Sequence, residues 1–138
     1  MTDRLLLGAA VLFAANTVFA SVLATRDPEV PGEPLGLHVP GSVTTHLALG
    51  WGAGVAAPWP MPVVATWAAW RAAQGARGPA RTVATIGAML LVGTLIEPVT
   101  WGRRPATRLV RATVPVNLAC GAAMVLAGTH RLRSAVTR

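Results

Sequence analysis

The chain has no lysine, a single cysteine and few charges of any kind. Asp, Glu and Arg make up 12% of its 138 residues, about half the share in an ordinary soluble domain. Each shortage excludes something. So few charges rule out a disordered tail, a coiled coil and a domain whose main feature is a basic nucleic-acid-binding face. Cys120 alone builds neither an intramolecular disulfide nor a Cys-x-x-Cys metal site. In an Ala/Gly-rich apolar segment it behaves as a small hydrophobe. The three histidines, His38, His46 and His130, are dispersed, and no spacing matches a zinc or di-iron ligand set, so no metal and no cofactor is expected. A nucleophile elbow, a Walker loop and a dinucleotide fingerprint are also missing. Gly50-Trp51-Gly52-Ala53-Gly54 falls within an apolar run, where it reads as a packing feature and not a phosphate loop.

What the chain has in quantity is apolar residues. They form 53% of it, and the mean hydropathy is +0.52. With 26 Ala, 14 Gly and 12 Arg, this is the composition of a membrane protein written by a high-GC genome. The formal charge of +7 comes from arginines that sit between long uncharged runs, the pattern that orients membrane proteins rather than one that binds nucleic acid.

Four such runs organise the sequence. Leu5 to Ala24 carries no charge and is long enough as a helix to cross the hydrocarbon core. A signal peptide ending near Val18-Phe19-Ala20 is the competing reading, but the run is longer than a typical signal core and holds Asn16. A proline-rich stretch, Arg26 to Gly41, then forbids a long regular helix and reads as an interfacial loop. Ser42 to Trp70 is uncharged but interrupted by Pro58-Trp59-Pro60-Met61-Pro62. Neither half spans a bilayer alone, so we read one crossing broken close to mid-membrane. Freed backbone at that depth is tolerated only where protein or a water-filled cavity satisfies it, which makes the break a candidate pocket wall; a simple kink and a re-entrant hairpin are the alternatives. Thr82 to Thr100 and Ala112 to Thr129 complete the set, separated by a basic loop with Arg103, Arg104, Arg108 and Arg111.

The expected fold is therefore an all-α integral membrane protein, a single domain over 1–138. It is a four-helix transmembrane bundle with spans near 5–24, 42–70, 82–100 and 112–129, the second helix broken at Pro58–Pro62. Four crossings place both termini on one side, with Arg4, Arg71, Arg77, Arg81, Arg131, Arg133 and Arg138. Seven arginines against four or five favour cytoplasmic termini in the cell membrane, by a small margin that leaves a dual-topology pair open. Gly50 and Gly54, together with Gly8, Gly87, Ala88, Gly121 and Ala122, are close-approach sites for helix packing, within the chain or in a homo-oligomer.

Sorting the polar residues by depth singles out one candidate site. Of 17 charged residues, Glu97 alone lies inside an apolar run, and an ionisable group there marks a functional site by default. Burial favours its neutral form, whereas Arg103, Arg104 or His46 nearby would favour the anion. Pro98 frees the carbonyl of Thr94, and Trp101, four residues on, would share a helix face with Glu97. The plain structural alternative is a Glu97 that pairs with Arg103 or Arg104 and pins the helix end. In the same half of the membrane fall Trp101, Asn16, Asn117, Trp51 and His46, the last a proton carrier or simply a hydrogen-bonded helix-start residue; Trp51 and Trp59 lie deeper and are candidate walls of an apolar cavity. Asn16 and Asn117 are ligand contacts or, more plainly, interhelical hydrogen-bond partners. Trp67, Trp70 and Trp101 sit where an aromatic belt is expected.

Three functions fit this pattern. The first is an intramembrane pocket that binds or acts on a lipophilic small molecule. Glu97 and His46 would be its acid/base pair, and Trp51, Trp59, Trp101, Asn16, Asn117 and Arg103 its ligand contacts. Such a site suits cofactor-independent isomerisation, cyclisation or epoxide opening. The second is a proton-coupled or oligomeric transporter with its substrate at the broken span. The third is an accessory subunit without a site. Membrane lipid is a partner in all three.

Overall fold

The first uncharged run folds as helix α1 (Thr2–Ala24), followed by a loop with one 3-10 turn (Pro34–Gly36) and the short α2 (Val43–Leu49). Then come α3 (Pro60–Ala73), α4 (Pro79–Ile96), a second 3-10 turn (Pro98–Trp101) and α5 (Arg108–Val136). This computed structural model describes residues 2–26, 30–76 and 78–136. Asp27, Pro28, Glu29, Arg77 and Arg138, which enter the loop and charge reading, lie outside the described residues. The described chain is all-helical, without a strand. Three of its helices, α1, α4 and α5, are long and apolar enough to cross a membrane.

Their outer faces agree with that assignment. Val11, Leu12 and Val18 on α1, Met89 and Val92 on α4 and Leu126 on α5 are each half exposed or more. A soluble monomer rarely shows so much apolar surface; lipid tails accept it.

The inner faces are built from small residues at helical spacing. On α3, Ala65, Ala68, Ala69 and Ala72 have no exposed surface and meet Leu6, Ala10 and Phe13 of α1, so the two helices lie close along one alanine stripe. Between α4 and α5 the approach is backbone to backbone. A Cβ added to Gly87 would stand 2.8 Å from the Gly121 carbonyl oxygen, and one added to Gly121 would stand 2.9 Å from that of Gly87. One turn-pair further along, Gly128 opposes the Ala80 carbonyl in the same way, at 2.8 Å. Of the expected close-approach sites Gly87 and Gly121 serve; Gly8 has nothing within 4 Å. At one end of the bundle Arg131 of α5 forms an ion pair with Asp3 of α1, which brings the start of the first helix beside the end of the last. We call this the terminal end, and the opposite one the loop end.

The second apolar run departs from expectation. Its prolines do not break a helix; Pro60 and Pro62 begin one. In the first turn a missing N–H has no partner to lose, and proline's fixed φ already suits the helix. The interruption lies earlier, over residues 50–59, and it includes the glycine cluster read as a packing feature within a span. Gly52 has φ +85°, and a Cβ there would strike the Ala56 carbonyl, so the chain can turn at this point only with glycine. The interruption is not at mid-span either. Trp59 Nε1 donates to Ser21 Oγ at 3.0 Å, which sets the start of α3 against the last turn of α1.

Backbone outside a helix must still be satisfied, and several of its groups here find partners within the protein. Ser42 Oγ caps α2 by accepting from Thr45 N at 3.2 Å. The His46 carbonyl accepts from both Gly50 N and Gly52 N, Ala53 and Ala56 exchange a pair of bonds, and Trp59 N donates to Leu47 O. The Val55 carbonyl accepts from Asn117 Nδ2 at 2.6 Å, which ties the loop to α5.

Candidate functional site

The missing helical turns between α2 and α3 leave one face of α4 without a helical neighbour. What results is a groove of about 780 Å³. One wall is α4, where Thr85, Met89, Val92, Gly93 and Ile96 line it at spacings of three and four residues that keep them on one face, flanked by Ala88, Leu90 and Thr94, with Glu97 just past the helix end. The other wall comes from the loop and its flanks, with Leu49, Trp51, Val55, Pro58 and Met61. Pro34 contributes at the loop end. Met89 and Val92 keep more than half of their surface exposed, so the groove opens sideways along its length and is not an enclosed cavity.

Glu97 closes the loop end of the groove. Pro98 cannot donate the bond that would extend α4, and the backbone at Glu97 turns extended (φ −78°, ψ 129°). The freed Thr94 carbonyl is taken by the Thr100 hydroxyl at 2.5 Å, and the Leu95 carbonyl by Trp101 Nε1 at 2.7 Å. Two carbonyls left open by the helix end are thus capped by side chains of the 3-10 turn. Glu97 therefore lies one residue beyond the Pro79–Ile96 candidate span, not inside it. Its side chain is nonetheless buried. Burial pushes its carboxyl from the ordinary 4.5 up to about 7, because the charged form loses water without gaining a cation.

The partners of Glu97 differ from those expected. Its Oε2 accepts from the backbone N–H of Glu33 at 3.2 Å, and it makes no ion pair among the described residues. Arg104 instead pairs with Glu33, whose carboxylate also lies 3.8 Å from His38 Nδ1. Trp101 does not share a helix face with Glu97, because the helix has already ended; the residue is 61% exposed and its Nε1 caps the Leu95 carbonyl.

His46 is not joined to Glu97 by a hydrogen bond among the described residues, nor does it line the groove. It is buried behind the wall, with Gly41 and Gly50 so close that a Cβ on either would lie within 3 Å of the ring. Its Nε2 has no hydrogen-bond partner. The structure thus brings Glu97 to the groove and leaves His46 outside its lining. Of the expected ligand contacts the groove gathers Trp51 alone with Glu97. Trp59 is turned toward Ser21. Asn16 and Asn117 take the plainer role: Asn16 Nδ2 donates to Asn117 Oδ1 at 2.8 Å across α1 and α5. Arg103 is exposed beside the groove's loop end, its backbone N–H held by Pro98 O.

Met89, Val92 and Gly93 were not expected at the site, and Glu33 was expected only as one of the acids of the interfacial loop. For the α4 residues a signal existed, since an apolar stripe continues to Glu97 at three- and four-residue spacing. For Glu33 none did, because a backbone N–H in a proline-rich loop leaves no pattern. Comparison with family models, with curated proteins and with solved structures finds no match to this chain.

Proposed function

We propose that this is a multi-pass membrane protein whose lateral groove takes up a lipophilic molecule, with Glu97 holding or protonating its polar part. The observation that carries this reading is an apolar groove of about 780 Å³ that ends on one buried carboxyl. Such a site fits the general form of a small-molecule pocket, an apolar lining with a few placed polar groups. Its sideways opening lets a ligand enter from the lipid. A carboxyl poised near neutral pH serves as donor or acceptor, as acid-initiated chemistry on a lipophile requires.

For the membrane arrangement, we propose that α1, α4 and α5 cross fully and that α2, its loop and α3 form a fourth, interrupted crossing. The Asp3–Arg131 pair supports termini on one side of the membrane, and the arginine balance favours the cytoplasm for that side. Leu35, Leu37, Leu49 and Trp51, exposed at the loop end, suit the opposite membrane interface. In a Cys120→Ala background, Arg4→Cys and Arg133→Cys should react with a membrane-impermeant maleimide only after the cells are opened. Arg103→Cys should react in intact cells. The opposite labelling would reverse the orientation, and labelling of Arg4→Cys and Arg133→Cys from different sides would remove the fourth crossing.

The groove itself is tested with an apolar fluorescent dye and protein in nanodiscs. Gly93 lines the groove, and a Cβ there meets nothing within 4 Å, so Gly93→Phe should fill the space without disturbing the fold. Dye binding should weaken about tenfold, the loss expected when a ligand can no longer bury an apolar group of this size. Val11→Phe, on the outer face of α1, should bind like the parent. Equal binding by all three proteins would mean the dye only partitions onto lipid-facing surface, and the reading would fail.

A further inference from the structure

The groove's dimensions and the charges at its end identify the class of ligand. The lining stripe runs from Thr85 to Glu97, which at helical rise is about 18 Å. One leaflet contributes half of a hydrocarbon core about 30 Å thick, so its chains extend about 15 Å. The groove is therefore as long as one lipid chain, opens toward that chain's own environment, and carries its polar group at the end where a head would sit.

The head is constrained from both sides. Glu97 is the carboxyl at the groove end, and its Oε2 already accepts from Glu33 N. Glu33 is neutralised by Arg104, and His38 also faces it. A carboxylate or phosphate head would meet like charge whenever Glu97 is ionised, and Arg104, which could balance that charge, is already taken by Glu33. A cationic head would have to draw Glu97 into its charged form, which its burial disfavours. An uncharged hydroxyl escapes both penalties and donates to the carboxyl whether or not that is ionised.

Resting on the groove reading above, we infer that the ligand is a single-chain lipid alcohol, with its chain laid along α4 and its hydroxyl donated to Glu97. Trp51 forms part of the opposite wall, where its ring packs against the chain.

The test uses hexadecanol carrying a mid-chain diazirine and the full-length protein in nanodiscs, with labelled peptides mapped after irradiation. Labelling is expected on the α4 segment around Met89 to Gly93. It should fall about tenfold in Gly93→Phe and in Met89→Trp, and stay unchanged in Val11→Phe. Unlabelled hexadecanol should compete at least about tenfold better than hexadecanoic acid, hexadecylamine or a sterol, the margin that one charge-assisted hydrogen bond provides. Glu97→Leu should erase the preference among heads while labelling of α4 persists. Equal competition by the acid or the amine would overturn the alcohol, and equal competition by the sterol would overturn the linear chain; either leaves the groove reading standing. Labelling spread evenly over α1 and α4, and indifferent to Gly93→Phe and Met89→Trp, would overturn both. Loss of folding in one plugged variant, seen by circular dichroism, leaves the other variant and the competition series to decide.

Discussion

Gly121→Leu should abolish the cooperative thermal unfolding of the purified protein, or lower its midpoint further than any other single substitution considered. A Cβ at Gly121 would come within 2.9 Å of the Gly87 carbonyl oxygen. The Leu91 side chain lies as near, its Cγ at 2.8 Å, but the backbone oxygen cannot turn aside, so a new side chain can be seated only by parting α4 from α5. Overpacking of a well-filled interior costs about 1–3 kcal/mol and more when backbone must move. In lipid there is no hydrophobic effect between helices to offset the lost van der Waals contact. Gly87→Ala and Gly121→Ala should each be milder, but the pair should cost clearly less than the sum of the two, because once the helices have separated the second methyl finds room. Gly93→Leu is the matched control on the same helix, facing open space, and should melt like the parent. Strict additivity of the two alanine variants would show that Gly87 and Gly121 do not share one contact.

That contact was partly legible in advance. Gly87 and Gly121 stand out as small residues in long apolar runs, and such residues mark close helix approach whatever the fold. The three long helices were legible for the same local reason: an uninterrupted apolar stretch of sufficient length has few alternatives. The second run was not, because its two punctuation signals compete. Pro58, Pro60 and Pro62 read as the break, whereas the structure uses Pro60 and Pro62 to open α3 and lets the glycines at 52 and 54 make the turn. Proline signals a boundary without saying on which side of it the helix lies. Only the tertiary contact from Trp59 to Ser21 resolves that.

The site shows the same division. Glu97 was visible as the one acid embedded in an apolar run, and Pro98 announced the helix end. What could not be read was the partner. Assigning Arg103, Arg104 or His46 to Glu97 assumed that opposite charges at similar depth meet. In the structure Glu33 comes between, taking Arg104 with its carboxylate and Glu97 with its backbone N–H. The groove likewise has no sequence signature of its own, since it is the space left where helical turns are absent from a neighbouring segment.

Asn117 joins these features, and its replacement should have the second-largest effect. It is almost fully buried, donates to the Val55 carbonyl at 2.6 Å and accepts from Asn16 at 2.8 Å. Asn117→Leu preserves the volume but leaves a loop carbonyl and the Asn16 amide without these partners. Each orphaned group costs about 1–3 kcal/mol when buried, while hydrogen bonds between helices in lipid have averaged nearer 0.6 kcal/mol because the separated state also finds partners. The Val55 carbonyl belongs to irregular backbone inside the bundle, with few substitutes at hand, so the larger figure should apply to it. Asn16→Leu removes only the bonds that Asn16 donates and should cost less. The decisive readout is binding. Val55 lines the groove and Asn117 does not, so Asn117→Leu should weaken dye binding several-fold by releasing the loop, while Asn16→Leu should leave it near the parent value. If both variants lose stability equally and neither changes binding, Asn117 is an ordinary interhelical contact and the wall opposite α4 holds its shape without it.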